Sequence, residues 1–320
     1  MLKEKLLAEL EQNRDTVLSG QQLADLFSVS RNAVWKAIKA LKDEGHEIES
    51  VPQKGYRLKP SSDVLSKEGI IQYLNNINNE EEIPEIHIYQ QIDSTNSEAK
   101  RLITQSSAKN IIVIAKEQFN GRGRGGHSFY SPADTGLYMS VALKPKLRIK
   151  QALLITTAAA VAVMNAIYNL TGKKVQIKWV NDLFYNNKKV CGILTEAITD
   201  FESGDVSDII IGAGININTC EFPEELKEIA CSLEEDNITK NEFAAEIYRQ
   251  ITYVCENLND AEILKQAREN SYVIGKKIEI DDTNTHRYAT AYDIDNDGSL
   301  ICTDDENNKF NLRTGSIRLV

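Results

Sequence analysis

Gly121-Arg122-Gly123-Arg124-Gly125-Gly126, running on into His127-Ser128-Phe129-Tyr130-Ser131-Pro132, is the most informative part of the chain. Four of the chain's 17 glycines and two arginines fall within its first six residues, just after the apolar run Ile111–Ala115. A loop of this kind lets backbone N–H groups and two guanidinium forks close on a carboxylate or a phosphate. The letters also satisfy G-x-G-x-x-G, the dinucleotide-binding pattern, which requires the last glycine to open a helix. The residues after Gly126 are instead aromatic, β-prone and stopped by Pro132, and arginines inside the turn would crowd a helix-packing face. The loop is therefore expected as an anion-closing turn, with a flexible glycine hairpin carrying solvated arginines as the bland alternative.

The chain has 320 residues, 42% of them hydrophobic and 26% charged, which suits a protein of two or three domains with ample cores. Its net charge of −10 argues against nucleic-acid binding over the whole surface. The charge is unevenly spread: residues 1–60 carry ten Lys/Arg against nine Asp/Glu, whereas the remainder is strongly acidic. The five cysteines are scattered, odd in number and never in C-x-x-C spacing, which reads as reduced thiols in the cytoplasm. No secretory segment is evident, no apolar run reaches the length of a membrane span, and the four histidines lack ligand spacing.

Residues 1–60 predict three helices and a β-wing. Leu2, Leu6, Leu7 and Leu10 share one face; Ser19-Gly20 opens a second helix; Ser30 caps a third, Arg31 to Glu44, which Gly45 stops. Two short strands then flank Pro52-Gln53-Lys54-Gly55. This is the winged helix-turn-helix plan. Between Arg31 and Lys42 the third helix carries four cations and no acid, as a groove-reading helix should. The expected DNA-facing set is Ser30, Arg31, Asn32, Trp35, Lys36 and Lys39, with Lys54 on the wing; Trp35 could equally be core.

Lys59–Asp63 reads as a junction, giving expected domains at 1–62, 63–269 and 270–320. In the middle segment strands are expected at Ile86–Ile92, Ile111–Glu117, Gly136–Leu143 and Asp208–Gly214. Val175–Val180 and Lys189–Ala197 are expected to pair around the turn Asn181-Asp182…Asn186-Asn187. Helices are expected after Asp93, with Thr95 and Glu98 in capping-box spacing, and at Gln151–Leu170, Glu224–Ala230 and Lys240–Asn257. Five short strands after Ser271 predict a small β-barrel. Within it, Asp293–Gly298 with Asp304 nearly spells an EF-hand loop, but strand-like flanks favour a hairpin. The fold class is α+β with an α/β-type core.

Four polar clusters fall at strand ends or helix starts: Ser94-Thr95-Asn96; Gln118 with the Gly-Arg loop; Lys178-Trp179-Val180-Asn181-Asp182 continuing to Lys189-Val190-Cys191-Gly192; and Gly212-Ala213-Gly214-Ile215-Asn216. In this order, with Ser131-Pro132 and the K-x-x-G-I-L-x-E segment at Lys189–Glu196, the chain resembles the biotin protein ligase family. Its whole length is similar to the two-function members that also act as biotin operon repressors.

The resemblance implies a winged helix-turn-helix, a central mixed-sheet domain of the biotin/lipoate ligase type and a C-terminal SH3-like barrel. It implies that biotin and Mg-ATP form biotinyl-5′-AMP, which a specific lysine then attacks. Ser94, Thr95, Asn96 and Gln118 would hold the biotin head; Gly121, Arg122, Gly123, Arg124, Lys189 and Gly192 would complete the biotin site. Arg122, Arg124, Asn181, Lys189, Gly214 and Asn216 would bind ATP, and Lys189, Arg124, Arg122 and Asp182 would carry the chemistry. Magnesium would arrive with ATP and need no protein cage of its own. The implied partners are a biotin carboxyl carrier domain of acetyl-CoA carboxylase or pyruvate carboxylase, operator DNA and a second copy of the chain; no membrane is implied. Biotinyl-5′-AMP would double as co-repressor. Independently, joining two anions calls for converging cations, and Arg122, Arg124 and Lys189 supply three. Departures from the family pattern are Val180 for proline, His127 and Ser128 for basic residues, and Phe129 for tryptophan. No tryptophan comes after Gly214 to cover the adenine, leaving Phe222 as the nearest candidate. A catalytically silent biotin sensor and a lipoate or octanoate ligase are the competing readings.

Overall fold

A computed structural model describes residues 1–77, 83–145, 147–148, 151–199, 205–282 and 285–320. The chain divides into two compact units, Met1–Ile83 with Asp236–Glu246, and Pro84–Glu235 with Ile247–Val320.

The first unit holds α1 (Leu2–Gln12), α2 (Gly20–Leu26), α3 (Arg31–Asp43), the antiparallel pair β1 (Ile48–Val51) and β2 (Gly55–Leu58), and α4 (Lys67–Ile77). Ser19 and Ser30 cap α2 and α3 as their sequence positions predict, and Gly45 leaves α3 at φ +97°. Leu6, Leu10, Leu23, Val34, Ile38, Leu41, Ile48 and Leu58 are buried together, so one stripe from each of α1, α2 and α3 and one residue from each strand make this core. Gly55 sits at φ +143° with Leu18 O only 2.0 Å from where a Cβ would be, and Leu18 and Tyr56 bond to each other through both backbone groups. The junction is held firmly: Arg14 donates to Lys59 O, Pro60 O and Ser62 O, while Asn241 bonds Ser66 N and Val64 O.

The second unit is built on one mixed sheet. Its strands are β3 (Glu85–Ile92), β4 (Asn110–Gln118), β5 (Gly136–Leu143), β6 (Leu147–Arg148), β7 (Gln176–Lys178), β8 (Asp182–Tyr185), β9 (Lys188–Thr199) and β10 (Asp205–Asn216). The order is β3-β4-β5-β10-β9-β8-β7, with β6 beside β10. Only β3 and β4 are parallel, joined by a crossover through α5 (Thr95–Ile103); every other neighbour is antiparallel. Every residue of β5 is buried, as expected for a central strand covered on both faces. α6 (Ala152–Thr171) ends at Gly172 in the left-handed region. Residues Leu153–Thr171 are apolar enough to cross a membrane by length and composition, yet two-thirds of the span is buried within the protein. α7 (Lys240–Glu256) and α8 (Ala261–Glu269) complete the helices.

β11 (Lys277–Asp282), β12 (Thr285–Ile294), β13 (Leu300–Thr303), β14 (Lys309–Leu312) and β15 (Ser316–Leu319) form an antiparallel sheet in the order β14-β13-β12-β11-β15. Laid flat, its edge strands would lie about 19 Å apart. Yet only three residues link β14 to β15, a reach of about 14 Å. The sheet must therefore curl, which is the barrel tendency expected from the sequence. The EF-hand-like stretch is a β12–β13 hairpin in which Asp295 N bonds Ser299 O.

Three local expectations are corrected. Val175–Val180 does not pair with Lys189–Ala197, because the four-residue strand β8 lies between them. Glu224–Ala230 forms turns and no helix; Lys189 N donates to Ile229 O and Cys231 N to Lys189 O, so this segment is drawn alongside β9. Thr95 and Glu98 form no capping box: Ser94 is the N-cap, and Glu98 instead takes Tyr89 Oη and Arg101 Nε.

Candidate functional site

A cavity of about 1080 Å³ opens in the second unit where β9, β10, the loop after β4 and the last strand converge. At one end, Ser94, Thr95 and Asn96 are buried where β3 passes into α5. Thr95 N and Oγ1 both donate to Gln118 Oε1, at 2.8 and 3.1 Å. Gln118 Nε2 donates to Ser131 Oγ at 2.9 Å, and Ser131 Oγ reaches Phe129 O at 3.1 Å. Asn96 accepts from Ser140 Oγ at 2.6 Å and donates to Leu194 O and Glu196 Oε2. Gly212 is required here, since a Cβ would lie 2.1 Å from Asn96 Oδ1.

The glycine–arginine loop is a hairpin. Phe129 N bonds Gly121 O, Gly123 N bonds His127 O, and Arg122 bridges Ser128. Only one helical turn, Arg124–Gly126, interrupts it, so the dinucleotide-binding context is absent. Gly125 and Gly126 take φ +68° and +83°, which glycine adopts without strain. Arg122 lies 3.5 Å from Glu196, and Arg124 donates to Gly315 O in the link between β14 and β15. Burial pulls the Arg124 guanidinium below its ordinary pKa, opposed by the charge of Asp182.

Asp182 is the electrostatic centre of the cavity. Its Oδ1 lies 2.7 Å from Lys189 Nζ, a contact that is ionic and lacks good hydrogen-bond geometry. Lys178, on β7, is depressed in pKa chiefly by burial, with Asp182 opposing and Lys189 and Arg318 reinforcing the shift. Lys189 lies 5.8 Å from the centre of the Phe129 ring. That ring covers two glycines: a Cβ on Gly214 would lie 2.5 Å from it and one on Gly192 3.0 Å. Asn181 closes the β7–β8 turn, with Nδ2 donating to Ile193 O and its carbonyl accepting from Ile193 N. The Trp179–Val180 peptide within that turn is cis, and Trp179 Nε1 donates to Gly298 O.

Most of the expected site residues line this one cavity: Ser94, Thr95, Asn96, Gln118, Arg122, Gly123, Arg124, Asn181, Asp182, Lys189, Gly192 and Gly214. Gly121 and Asn216 stand behind the wall. Gly121 lets the chain pass Phe129 O, where a Cβ would approach to 2.4 Å. Asn216 is buried, donates to Cys231 O, and leaves Oδ1 without a protein hydrogen bond. Phe222 packs against Tyr130 and is not among the residues that line the cavity. Sequence reasoning passed over Lys178 as a cation, Ser140, Glu196, and Asp281 and Arg318 on the C-terminal sheet. Lys178 and Glu196 sit inside quoted motifs; the others carry no local signal.

In the first unit, Arg31, Asn32, Trp35, Lys36 and Lys39 are exposed along α3, and Lys54 is exposed on the wing. Trp35 is 51% exposed and so is not core. Lys39 lies 5.8 Å from the Trp35 ring, and Ser30 caps α3 through Ala33 N. Lys42 is tied to the wing through Ser50.

A cavity that gathers Arg122, Arg124, Lys178 and Lys189 around a polar head pocket suits the joining of a carboxylate to a nucleotide phosphate. With the helix-turn-helix unit, fold and site define a carboxylate-activating ligase attached to a DNA-binding module. The Biotin/lipoate A/B protein ligase family profile matches residues 88–216 and an HTH domain profile residues 3–57. The bifunctional ligase/repressor BirA of Bacillus spizizenii is 34% identical over 313 residues, spanning 94% of this chain and 93% of that protein; its Bacillus subtilis counterpart is 37% identical over 237 residues, spanning 73% and 71%. The chain belongs to this family of bifunctional biotin ligase/repressors: it is a biotin protein ligase with an N-terminal helix-turn-helix repressor domain. Its fold is also that of the biotin protein ligase from Aquifex aeolicus solved in complex with biotin and ATP (TM-score 0.61, 23% identity, 74% of this chain and 98% of that one).

Proposed function

We propose that the chain joins biotin to ATP as biotinyl-5′-AMP, transfers biotin to one lysine of a biotin carboxyl carrier domain, and represses transcription as an adenylate-bound dimer. The observation that carries the chemistry is the convergence of Arg124, Lys178 and Lys189 on Asp182 beside a buried Ser-Thr-Asn pocket. In the first step a biotin carboxylate oxygen bonds to the α-phosphorus as the bond to pyrophosphate breaks. Arg122, Arg124 and Lys189 offset the charge crowded there. In the second step the acceptor amine attacks the carbonyl, AMP departs with the bonding pair, and the amine loses a proton. Asp182, already facing Lys189, is suited to meet the incoming lysine.

Ser94, Thr95, Asn96 and Gln118 hold the biotin head in this reading, and Asn216 offers its unpaired Oδ1 to the nucleotide. Magnesium would arrive on the ATP phosphates, where Asp182 and Asp281 on the wall would offer it oxygen donors. The acceptor is the carrier domain of acetyl-CoA carboxylase or pyruvate carboxylase, and the setting is the cytoplasm. The functional domains are 1–62, 63–269 and 270–320. Arg31, Asn32, Trp35, Lys36, Lys39 and Lys54 face operator DNA, positioned by Ser30. The adenylate acts as co-repressor only if it binds the dimer-competent state more tightly.

Biotin-dependent exchange of labelled pyrophosphate into ATP tests the chemistry. Exchange with biotin but not with lipoate, lost in Lys189→Ala and strongly reduced in Arg124→Gly, is the expected result. Exchange undiminished in Lys189→Ala would overturn the assignment. Sedimentation with and without adenylate tests the repressor arm, which fails if the oligomeric state does not change.

A further inference from the structure

We infer that Glu196 is a positioning residue for biotin capture, linking the glycine–arginine loop to the buried pocket. The inference rests on the ligase assignment, in which Arg122 meets the substrate. Glu196 lies on β9 and divides its carboxylate between two partners. Oε2 accepts from Asn96 Nδ2 at 2.9 Å, and Oε1 lies 3.5 Å from Arg122 Nη1. Asn96 is 3% exposed and satisfied on both sides, by Ser140 at its oxygen and by Leu194 O and Glu196 at its nitrogen. Its orientation is therefore fixed, and it fixes Glu196 in turn.

Arg122 has the opposite character. Its side chain is 48% exposed on a hairpin rich in glycine, and its backbone bridge to Ser128 leaves the guanidinium unrestrained. Glu196 is the anchored group that limits where that guanidinium points. A second tie, from Thr95 through Gln118 and Ser131 to Phe129 O, holds the other side of the same hairpin. Both sides of the loop thus hang from the pocket that receives the biotin head, and Glu196 is the charged half of that suspension. A half-exposed pair at 3.5 Å is weak, so a modest effect is expected, one felt in substrate capture and not in the chemical step.

The test is steady-state biotin-dependent pyrophosphate exchange on the full chain. It uses Glu196→Gln, which keeps an oxygen for Asn96 and removes the charge, alone and combined with Arg122→Gln. Thermal melts accompany each variant. The expected result is an unchanged melt for Glu196→Gln, a biotin KM raised about fivefold and kcat within about twofold, with no further rise of KM when Arg122→Gln is already present. An unchanged KM in Glu196→Gln overturns the inference. So does an equal loss in both backgrounds, which would mark a role confined to Asn96 and the sheet. If Glu196→Gln melts early, biotin titration of Glu196→Asp at low temperature decides, the inference requiring weakened binding there too. Wild-type protein without biotin-dependent exchange would overturn the ligase assignment itself, whereas active wild type with an unaffected Glu196→Gln overturns only this inference.

Discussion

Lys178 shows what a single residue gives up for the site. Burial depresses its pKa, so the folded protein disfavours its charged form. Because the folded pKa lies below the unfolded one, the penalty is fully present below the folded pKa and fades as pH rises from there towards the ordinary lysine value. Lys178→Met, which keeps the volume and drops the charge, is expected to raise the melting temperature at neutral pH by a few degrees while lowering pyrophosphate exchange at least tenfold. Calorimetry of the pair between neutral and alkaline pH should show the two melts converging. Gly212 makes the complementary case. Its missing Cβ leaves room for Asn96 Oδ1, so Gly212→Ala is expected to destabilise by about 1–3 kcal/mol through a disrupted buried amide, and to weaken biotin binding in calorimetric titration.

Among the elements, the wing and the recognition helix are where sequence and structure agree best, and the reason is local. Ser19, Ser30 and Gly45 punctuate the helices with residues whose backbone chemistry acts within one turn. The failures are non-local. Asp182–Tyr185 is only four residues long and flanked by asparagines, so it reads as turn until β7 and β9 are seen to hold it on either side. Glu224–Ala230 has helix-forming composition, but it closes into turns whose end is tied to β9, with Ile229 O taken by Lys189 N. The Thr95–Glu98 spacing is right for a cap, yet Gln118 and Ser140 take Thr95 while Tyr89 and Arg101 take Glu98. The motif residues that line the cavity were legible; Arg318 and Asp281 were not, because only the curled C-terminal sheet brings them there. The wing carries its own predictions. Gly55→Ala would press a Cβ against Leu18 O and is expected to weaken operator binding at least tenfold while leaving ligation intact. Lys54→Ala should lower DNA affinity evenly across sequences and reduce the slope of log K against log salt by about 1, as read by gel shift or anisotropy at several salt concentrations.

For the whole molecule, charge and packing divide differently. Arg31, Lys36, Lys39 and Lys54 lie exposed on α3 and the wing, and a local basic surface of that kind lets a chain of net charge −10 still hold a repressor domain. The compact N-terminal unit does not stop with the wing: α1 packs on α4, where Ile70 is fully buried. A chain beginning at residue 63 is therefore expected to keep pyrophosphate exchange within a few-fold and to melt several degrees below the full chain, since α4 loses its cover. Exchange abolished by that truncation would show that the catalytic unit depends on the first unit for more than stability.

The protein has two tryptophans, and they are placed as differently as two could be. Trp35 is half-exposed on α3, the helix proposed to face DNA, whereas Trp179 is 4% exposed, lines the cavity and donates to Gly298 O. Intrinsic fluorescence thus comes with two built-in channels. Red-shifted emission from Trp35 should be quenched by operator DNA, and blue-shifted emission from Trp179 should respond to biotin and ATP. With Trp35→Phe and Trp179→Phe to separate them, unlabelled protein in one cuvette could follow ligand and operator together and time one occupancy against the other.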